Sequence, residues 1–143
     1  MKISNKGIEL IKRHEGLRLK AYKCPAGVWT IGYGHTGKDT YEGLEITPGS
    51  ANELLTLDLE RFEKAVNRLV ESAINQQQFD ALVSFAFNLG EGALKNSTLL
   101  KRINANPIDA TISGEFSKWV NAGGKPLPGL VRRRKEEADL YFS

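Results

Sequence analysis

Three side chains with chemical potential fall within one short stretch: Glu15, Cys24 and Thr30, in HEGLRLKAYKCPAGVWTIGYGHT, residues 14–36. Cys24 is the only cysteine of the chain. A carboxylic acid facing a second reactive group is the arrangement that hydrolyses glycosidic bonds. Glu15 as general acid must hold its proton at working pH. Burial at a helix C-terminus favours that, because both burial and the negative dipole end disfavour a carboxylate. Arg13 and Arg18 would oppose it. Lys20, Lys23 or His35 would lower the Cys24 pKa from about 8.5 and generate thiolate. A thiolate polarises water less well than a carboxylate but is the better nucleophile. Thr30 would hydrogen-bond the attacking water or the second catalytic group; as a β-branched residue it also suits a strand for its own sake. Gly32 and Gly34 allow a tight turn and close backbone approach to a ligand. His35 is expected to bond backbone or the Glu15 region, and two histidines with one cysteine are too few for a metal site.

The elements that must hold these groups are legible in part. Ser4 is a plausible N-cap for a helix over residues 4–14, with Ile8, Leu10 and Ile11 near helical spacing and Gly16 as its stop. Leu19 to Tyr22 and Val28 to Tyr33 then read as a hairpin around Cys24-Pro25-Ala26-Gly27. Strand parity places Thr30 opposite Trp29 and Ile31, which pack. Thr47-Pro48 opens a helix to about residue 73, long enough to bridge two lobes at 1.5 Å per residue. Asn75 caps the next helix and Gly90 ends it; its apolar residues surround the axis, as in a buried central helix. Residues 97–104, 107–121 and 128–142 read as further helices, separated by a Gly/Pro-rich loop at 123–128. The expected fold is α+β and mainly α, one domain of 143 residues. It has a hairpin lobe over 14–46, a spanning helix over 47–73 and a helical lobe over 74–143 with helix 4–14, enclosing a cleft.

Composition is that of an ordinary globular chain, 41% hydrophobic and 26% charged. Charge is uneven: residues 1–38 carry eight Lys/Arg against two Glu, +6, and residues 39–80 three against nine acids, −6. Residues 81–143 carry nine against six, +3. A basic N-terminal lobe would concentrate an anionic polymer near Glu15, although solvated faces explain the same pattern. Arg132, Arg133, Arg134 and Lys135 with Glu136, Glu137 and Asp139 read as a mixed-charge helix, solvated by default, with polymer binding as the alternative. Trp119 is expected in the core rather than as a sugar platform. No apolar run approaches the roughly 18 residues of a membrane span, and MKISNKGIEL is no signal peptide. The basic residues match no nucleic-acid module.

The active stretch resembles that of phage-type lysozymes, the endolysins of glycoside hydrolase family 24. It matches in Glu15-Gly16, Tyr22, Gly27 and Thr30-Ile31-Gly32-Tyr33-Gly34-His35, with Cys24 where that family has a catalytic Asp. The similarity continues through NQQQFDALVSFAFNLG (75–90) and Pro128-Gly129-Leu130-Val131-Arg132-Arg133, so it covers nearly the whole chain. It implies a muramidase cutting the β-1,4 bond between N-acetylmuramic acid and N-acetylglucosamine. Glu15 would be the acid, Cys24 nucleophile or base, and Thr30 a positioning group. Asn88 would contact an N-acetyl group, with His35 and Gly32 beside the glycan. The expected partner is peptidoglycan, with no cofactor, no nucleic acid, no stable membrane association and a monomeric state. The protein would be made in the host cytoplasm and act on the cell wall after another factor releases it across the membrane. Two other readings stand beside this one. The first is a cysteine peptidase or amidase on the stem peptides, built on Cys24 with His35 or His14; the second is an inactive glycan-binding module.

Overall fold

The computed structural model describes residues 1–143, with seven helices and five short strands. The chain divides into two compact units, residues 11–61 and residues 1–10 with 62–143. It passes between them within the helices α1 (Asn5–Glu15) and α2 (Pro48–Leu69).

In the smaller unit, β1 (Arg18–Lys23), β2 (Trp29–Gly32) and β3 (His35–Thr36) form an antiparallel sheet in that order. Register is set by Tyr22↔Thr30, Lys23↔Trp29 and Ile31↔His35. The segment Leu44–Ile46 lies along β1, with the Ala21 N–H on the Leu44 carbonyl at 2.9 Å and the Ile46 N–H on the Leu19 carbonyl at 2.8 Å. Ile11, Ala21, Ile31, Ala51, Leu55 and Leu59 are buried here. The hydroxyl of Thr47 accepts the Ser50 N–H at 3.1 Å, so Thr47-Pro48 starts α2 as its residue types predict.

The larger unit is built around α3 (Gln76–Leu89), of which Gln78 to Ala86 are all buried. Its start is a reciprocal capping box, Gln78 N–H on Asn75 Oδ1 and Asn75 N–H on Gln78 Oε1. Around it lie α4 (Glu91–Lys95), α5 (Thr98–Ala105), α6 (Ile112–Ser117) and α7 (Pro128–Tyr141). Phe85 meets Phe116 and Trp119 edge-on, at centroid distances of 5.8 and 5.6 Å; Trp119 is only half-buried, so it packs at the edge of the core rather than within it.

Four details depart from the sequence reading. The helix α2 stops at Leu69, not near residue 73, because Asn104 clamps its end: Nδ2 donates to the Leu69 carbonyl and Oδ1 accepts the Glu71 N–H. The helix expected over 107–121 shrinks to α6. Upstream of it, Asn106 and Asp109 bond the Ile108 and Thr111 N–H groups two residues on, a local alternative to helix. The Gly/Pro-rich loop contains a small hairpin, β4 (Asn121–Ala122) and β5 (Lys125–Pro126). Its two-residue turn is Gly123 (φ +60°) and Gly124 (φ +79°), the positive-φ pair that a type I′ turn requires. Ser4 occupies the N-cap position of α1, yet its hydroxyl donates to Asp80 Oδ2 and its N–H to Asp80 Oδ1.

The largest correction concerns α7. Arg132, Lys135 and Asp139 are exposed, but Arg133, Arg134 and Glu137 are 3%, 1% and 0% exposed. Arg134 Nε lies 2.7 Å from Glu137 Oε1, and Arg133 Nε lies 3.3 Å from Glu137 Oε2. Ser84 of α3 donates to Glu137 Oε2 at 2.6 Å. A solvated helix is therefore the wrong description of these three residues. Burial pushes the Glu137 carboxyl above its ordinary range, and the Arg134 and Arg133 guanidiniums oppose that push. Glu137→Ala leaves two guanidiniums buried without their counter-charge and is expected to lower unfolding free energy by about 3–5 kcal/mol in urea denaturation.

His35 ties β3 to α2. Its Nδ1 lies 2.8 Å from Asp58 Oδ2 and its Nε2 lies 2.9 Å from Asp39 Oδ1. Partial burial opposes the imidazolium, but hydrogen bonds and charge from Asp39 and Asp58 outweigh it and raise the His35 pKa. A raised folded-state pKa means that the stabilisation is complete below the unfolded value of about 6.5 and lost as pH rises through the folded value. Thermal melts at about pH 6 and pH 9 should therefore show the gap between the parent and His35→Gln, roughly 1–2 kcal/mol, shrinking at the higher pH.

Candidate active site

The geometry of the smaller unit starts from the end of α1. Glu15 is its last residue, and Gly16 follows at φ +73° with its N–H on the Lys12 carbonyl at 2.9 Å. A left-handed residue is easiest for glycine, so the helix ends there and leaves Glu15 half-exposed at the final turn. Gly34 makes room for its carboxyl group. A Cβ on Gly34 would stand 3.0 Å from Glu15 Oε1, and φ there is +83°. The glycine of the Gly32-Tyr33-Gly34 segment that meets Glu15 is thus the second one. A Cβ on Gly32, at φ +65°, would stand 3.6 Å from Ala51 and Ile46, so this glycine serves the packing of β2.

Cys24 lies at the end of β1, where the chain turns. The Gly27 N–H bonds the Cys24 carbonyl at 2.8 Å and the Cys24 N–H bonds the Val28 carbonyl at 3.0 Å. Gly27 has φ +79°, as expected of a turn closed by one left-handed residue. The thiol is free and half-exposed, so the turn does not bury it. Its pKa is lowered, first by the backbone amide of Val28, then by that of Ala26, with a smaller contribution from the Thr30 hydroxyl. These causes differ from the cations expected from sequence. Lys23 Nζ lies 5.3 Å from the centroid of the Trp29 ring, and His35 is engaged by Asp39 and Asp58.

Thr30 is 4% exposed and pairs with Tyr22 on one side and Thr36 on the other. Its hydroxyl donates to the Val28 carbonyl at 3.0 Å. A hydroxyl has one proton, so this bond and donation to the Cys24 sulfur are alternatives.

Glu15, Cys24, Thr30, Gly32 and His35 all belong to the smaller unit, while Asn88 lies near the end of α3 in the larger one. Asn88 Oδ1 accepts from Arg134 Nη2 at 2.8 Å. Sequence reasoning missed Asp39 and Asp58 as the partners of His35, and Arg134 as the partner of Asn88. The i,i+3 and i,i+4 spacing of Arg134 and Arg133 to Glu137 marks an ion-pair ladder, but such spacing is equally common on solvated helices. No three His, Cys, Asp or Glu groups cluster in a way that would hold a metal ion.

Thr30→Val removes the hydroxyl while preserving shape and strand preference. Iodoacetamide labelling against pH should show the parent's Cys24 ionising below the ordinary thiol range and the variant's midpoint moved upward. Coincident profiles for the folded parent and the urea-unfolded chain would contradict the amide effect.

The phage lysozyme family model matches residues 12–137. An endolysin of Bacillus phage B103 is 47% identical across the whole chain, which covers 55% of that relative, so the chain spans about half its length. An endolysin of Salmonella phage P22 is 44% identical, with 100% of this chain and 99% of the relative covered. Among solved structures, the muramidase domain of SpmX from Asticaccaulis excentricus superposes with a TM-score of 0.92 at 42% identity, covering 99% of this chain and 98% of that one. The mainly helical α+β fold, the full-length relatives and the matched family model agree: the chain belongs to the phage lysozyme family of hydrolases.

Proposed function

We propose that this chain is a muramidase that hydrolyses the β-1,4 bond between N-acetylmuramic acid and N-acetylglucosamine in peptidoglycan, serving lysis of a bacterial host. The observation that carries the reading is that one small unit holds both a carboxyl at a helix end and a half-exposed thiol drawn toward thiolate by backbone amides.

Glu15 is the general acid. It gives its proton to the leaving O4 as the Cys24 sulfur attacks C1. The C1–O4 bond breaks, a C1–S bond forms, and the departing fragment leaves as an alcohol. In the second half, water gives a proton to the Glu15 carboxylate and its oxygen attacks C1. The electron pair of the C1–S bond returns to sulfur as thiolate. The Thr30 hydroxyl hydrogen-bonds that sulfur as its charge appears, turning from the Val28 carbonyl. Two successive inversions at C1 give net retention. Cys24 acting instead as a base toward water would give inversion, the outcome expected of an Asp in that place. No cofactor enters either route.

Asn88 contacts an N-acetyl group of the glycan. In the smaller unit, the Gly32–Gly34 backbone and His35 shape a glycan-facing surface, His35 by holding β3 against α2 through Asp58. The peptidase alternative is weakened because both ring nitrogens of His35 are met by carboxylates, not by Cys24. The protein acts on the cell wall after release from the cytoplasm, as a monomer.

Fresh product followed by proton NMR should keep the β configuration, and an α product would remove Cys24 as nucleophile. Reducing sugar, and no new amine, is expected from purified cell wall. Cys24→Ser and Glu15→Gln should each lower lysis by about 100-fold or more. Cys24→Asp should retain activity and switch the product to α.

A further inference from the structure

The buried charge cluster of α7 has a consequence for Asn88, which is its only half-exposed member. A guanidinium is donor-only, so the amide group facing it must be the carbonyl oxygen. That oxygen is Asn88 Oδ1, 2.8 Å from Arg134 Nη2. The two N–H donors of Asn88 must then turn away from Arg134. Without Arg134, rotation about the amide's terminal bond would exchange oxygen for nitrogen at little cost, and the same surface would offer a donor or an acceptor indifferently.

Arg134 has little freedom to let this happen. Its Nε is 2.7 Å from Glu137 Oε1, its Nη2 also donates to Glu137 Oε2 at 3.0 Å, and its guanidinium lies 5.2 Å from the Phe85 ring centroid. Glu137 is held in turn by Ser84 at 2.6 Å and by Arg133. The side chain is 1% exposed, so no water replaces these partners.

We infer that Arg134 is a positioning residue for glycan selectivity: by claiming the oxygen of Asn88 it makes that amide a dedicated hydrogen-bond donor, which selects a sugar bearing an acceptor carbonyl, the acetamido group. This rests on the muramidase reading, in which Asn88 meets the glycan, and adds why it recognises one chemical group there. A lysine at position 134 lacks the planar fork, so it cannot keep the two-point Nε and Nη2 grip on Glu137 that fixes the group facing Asn88. An aspartate at position 88 still pairs with Arg134 but presents an acceptor outward, where it faces the acetamido oxygen with like polarity.

The test compares N-acetylchitotetraose with cellotetraose, a β-1,4 tetramer without acetamido groups, on protein carrying Glu15→Gln to prevent turnover. The parent should bind the acetylated tetramer at least tenfold more tightly and shift the Asn88 side-chain amide resonances. Asn88→Asp should cut that preference at least fivefold with the melting temperature unchanged or raised. Arg134→Lys, in the otherwise intact enzyme, should raise KM on soluble peptidoglycan fragments several-fold with kcat little changed, and should broaden or move the Asn88 amide pair. Preference surviving Asn88→Asp, or unmoved Asn88 amide resonances in the parent on adding N-acetylchitotetraose, overturns the inference even if Arg134→Lys does not fold. Absence of reducing sugar from cell wall treated with the parent would instead sink the muramidase reading. Hydrolysis without acetamido preference would sink only this one.

Discussion

Glu137 has no exposed surface and sits beside two guanidiniums, so the larger unit depends on a charge balance that water cannot repair. A carboxylate out of water costs several kcal/mol unless it is paired and hydrogen-bonded; here Arg134, Arg133 and Ser84 all bond Glu137 Oε2, while Oε1 meets Arg134 Nε at 2.7 Å as an ion pair without a hydrogen bond. The geometry also sets the register of two helices. Ser84 and Asn88 are one turn apart on α3, and they accept from neighbouring arginines of α7, Ser84 from Arg133 and Asn88 from Arg134. Sliding either helix by a turn would separate every member of the network at once. Apolar packing around Phe85 alone would tolerate such a slip far better, because it has no direction.

The smaller unit achieves its chemistry by shorter-range means. Its thiol is tuned by amides two and four residues away in the same turn, and its acid is presented by the last turn of a helix closed by glycine. Backbone N–H groups are fixed once the turn forms, so they lower a thiol pKa without the entropy cost of holding a lysine in place. A carboxylate in place of the sulfur would need no new scaffold. The turn that would present one presents the other.

Legibility followed the same division. The Asn75 cap, the Thr47-Pro48 helix start and the Gly16 stop were all readable, because each depends on residues no more than four apart. Residues 107–121 misled because helical apolar spacing competes there with Asn106 and Asp109, which satisfy backbone N–H groups locally. Ser4 was recognised by position, but the destination of its hydroxyl, Asp80, lies 76 residues away. The end of α2 escaped for the same reason, since Asn104 clamps it from α5.

Sequence alone determined the chemical inventory and its local presentation: an acid at a helix end, a thiol in a hairpin turn, and a threonine in the neighbouring strand. It did so because those placements follow from backbone preferences of a few adjacent residues. Tertiary structure decided which polar groups face one another. It gave His35 to Asp58 across 23 residues and Asn88 to Arg134 across 46, and it took Glu137 out of solvent. Spacing on a helix says that Arg134 and Glu137 share a face, not whether that face meets water. Only the packing of α7 against α3 settles that, because the cost of a buried charge depends on every group around it.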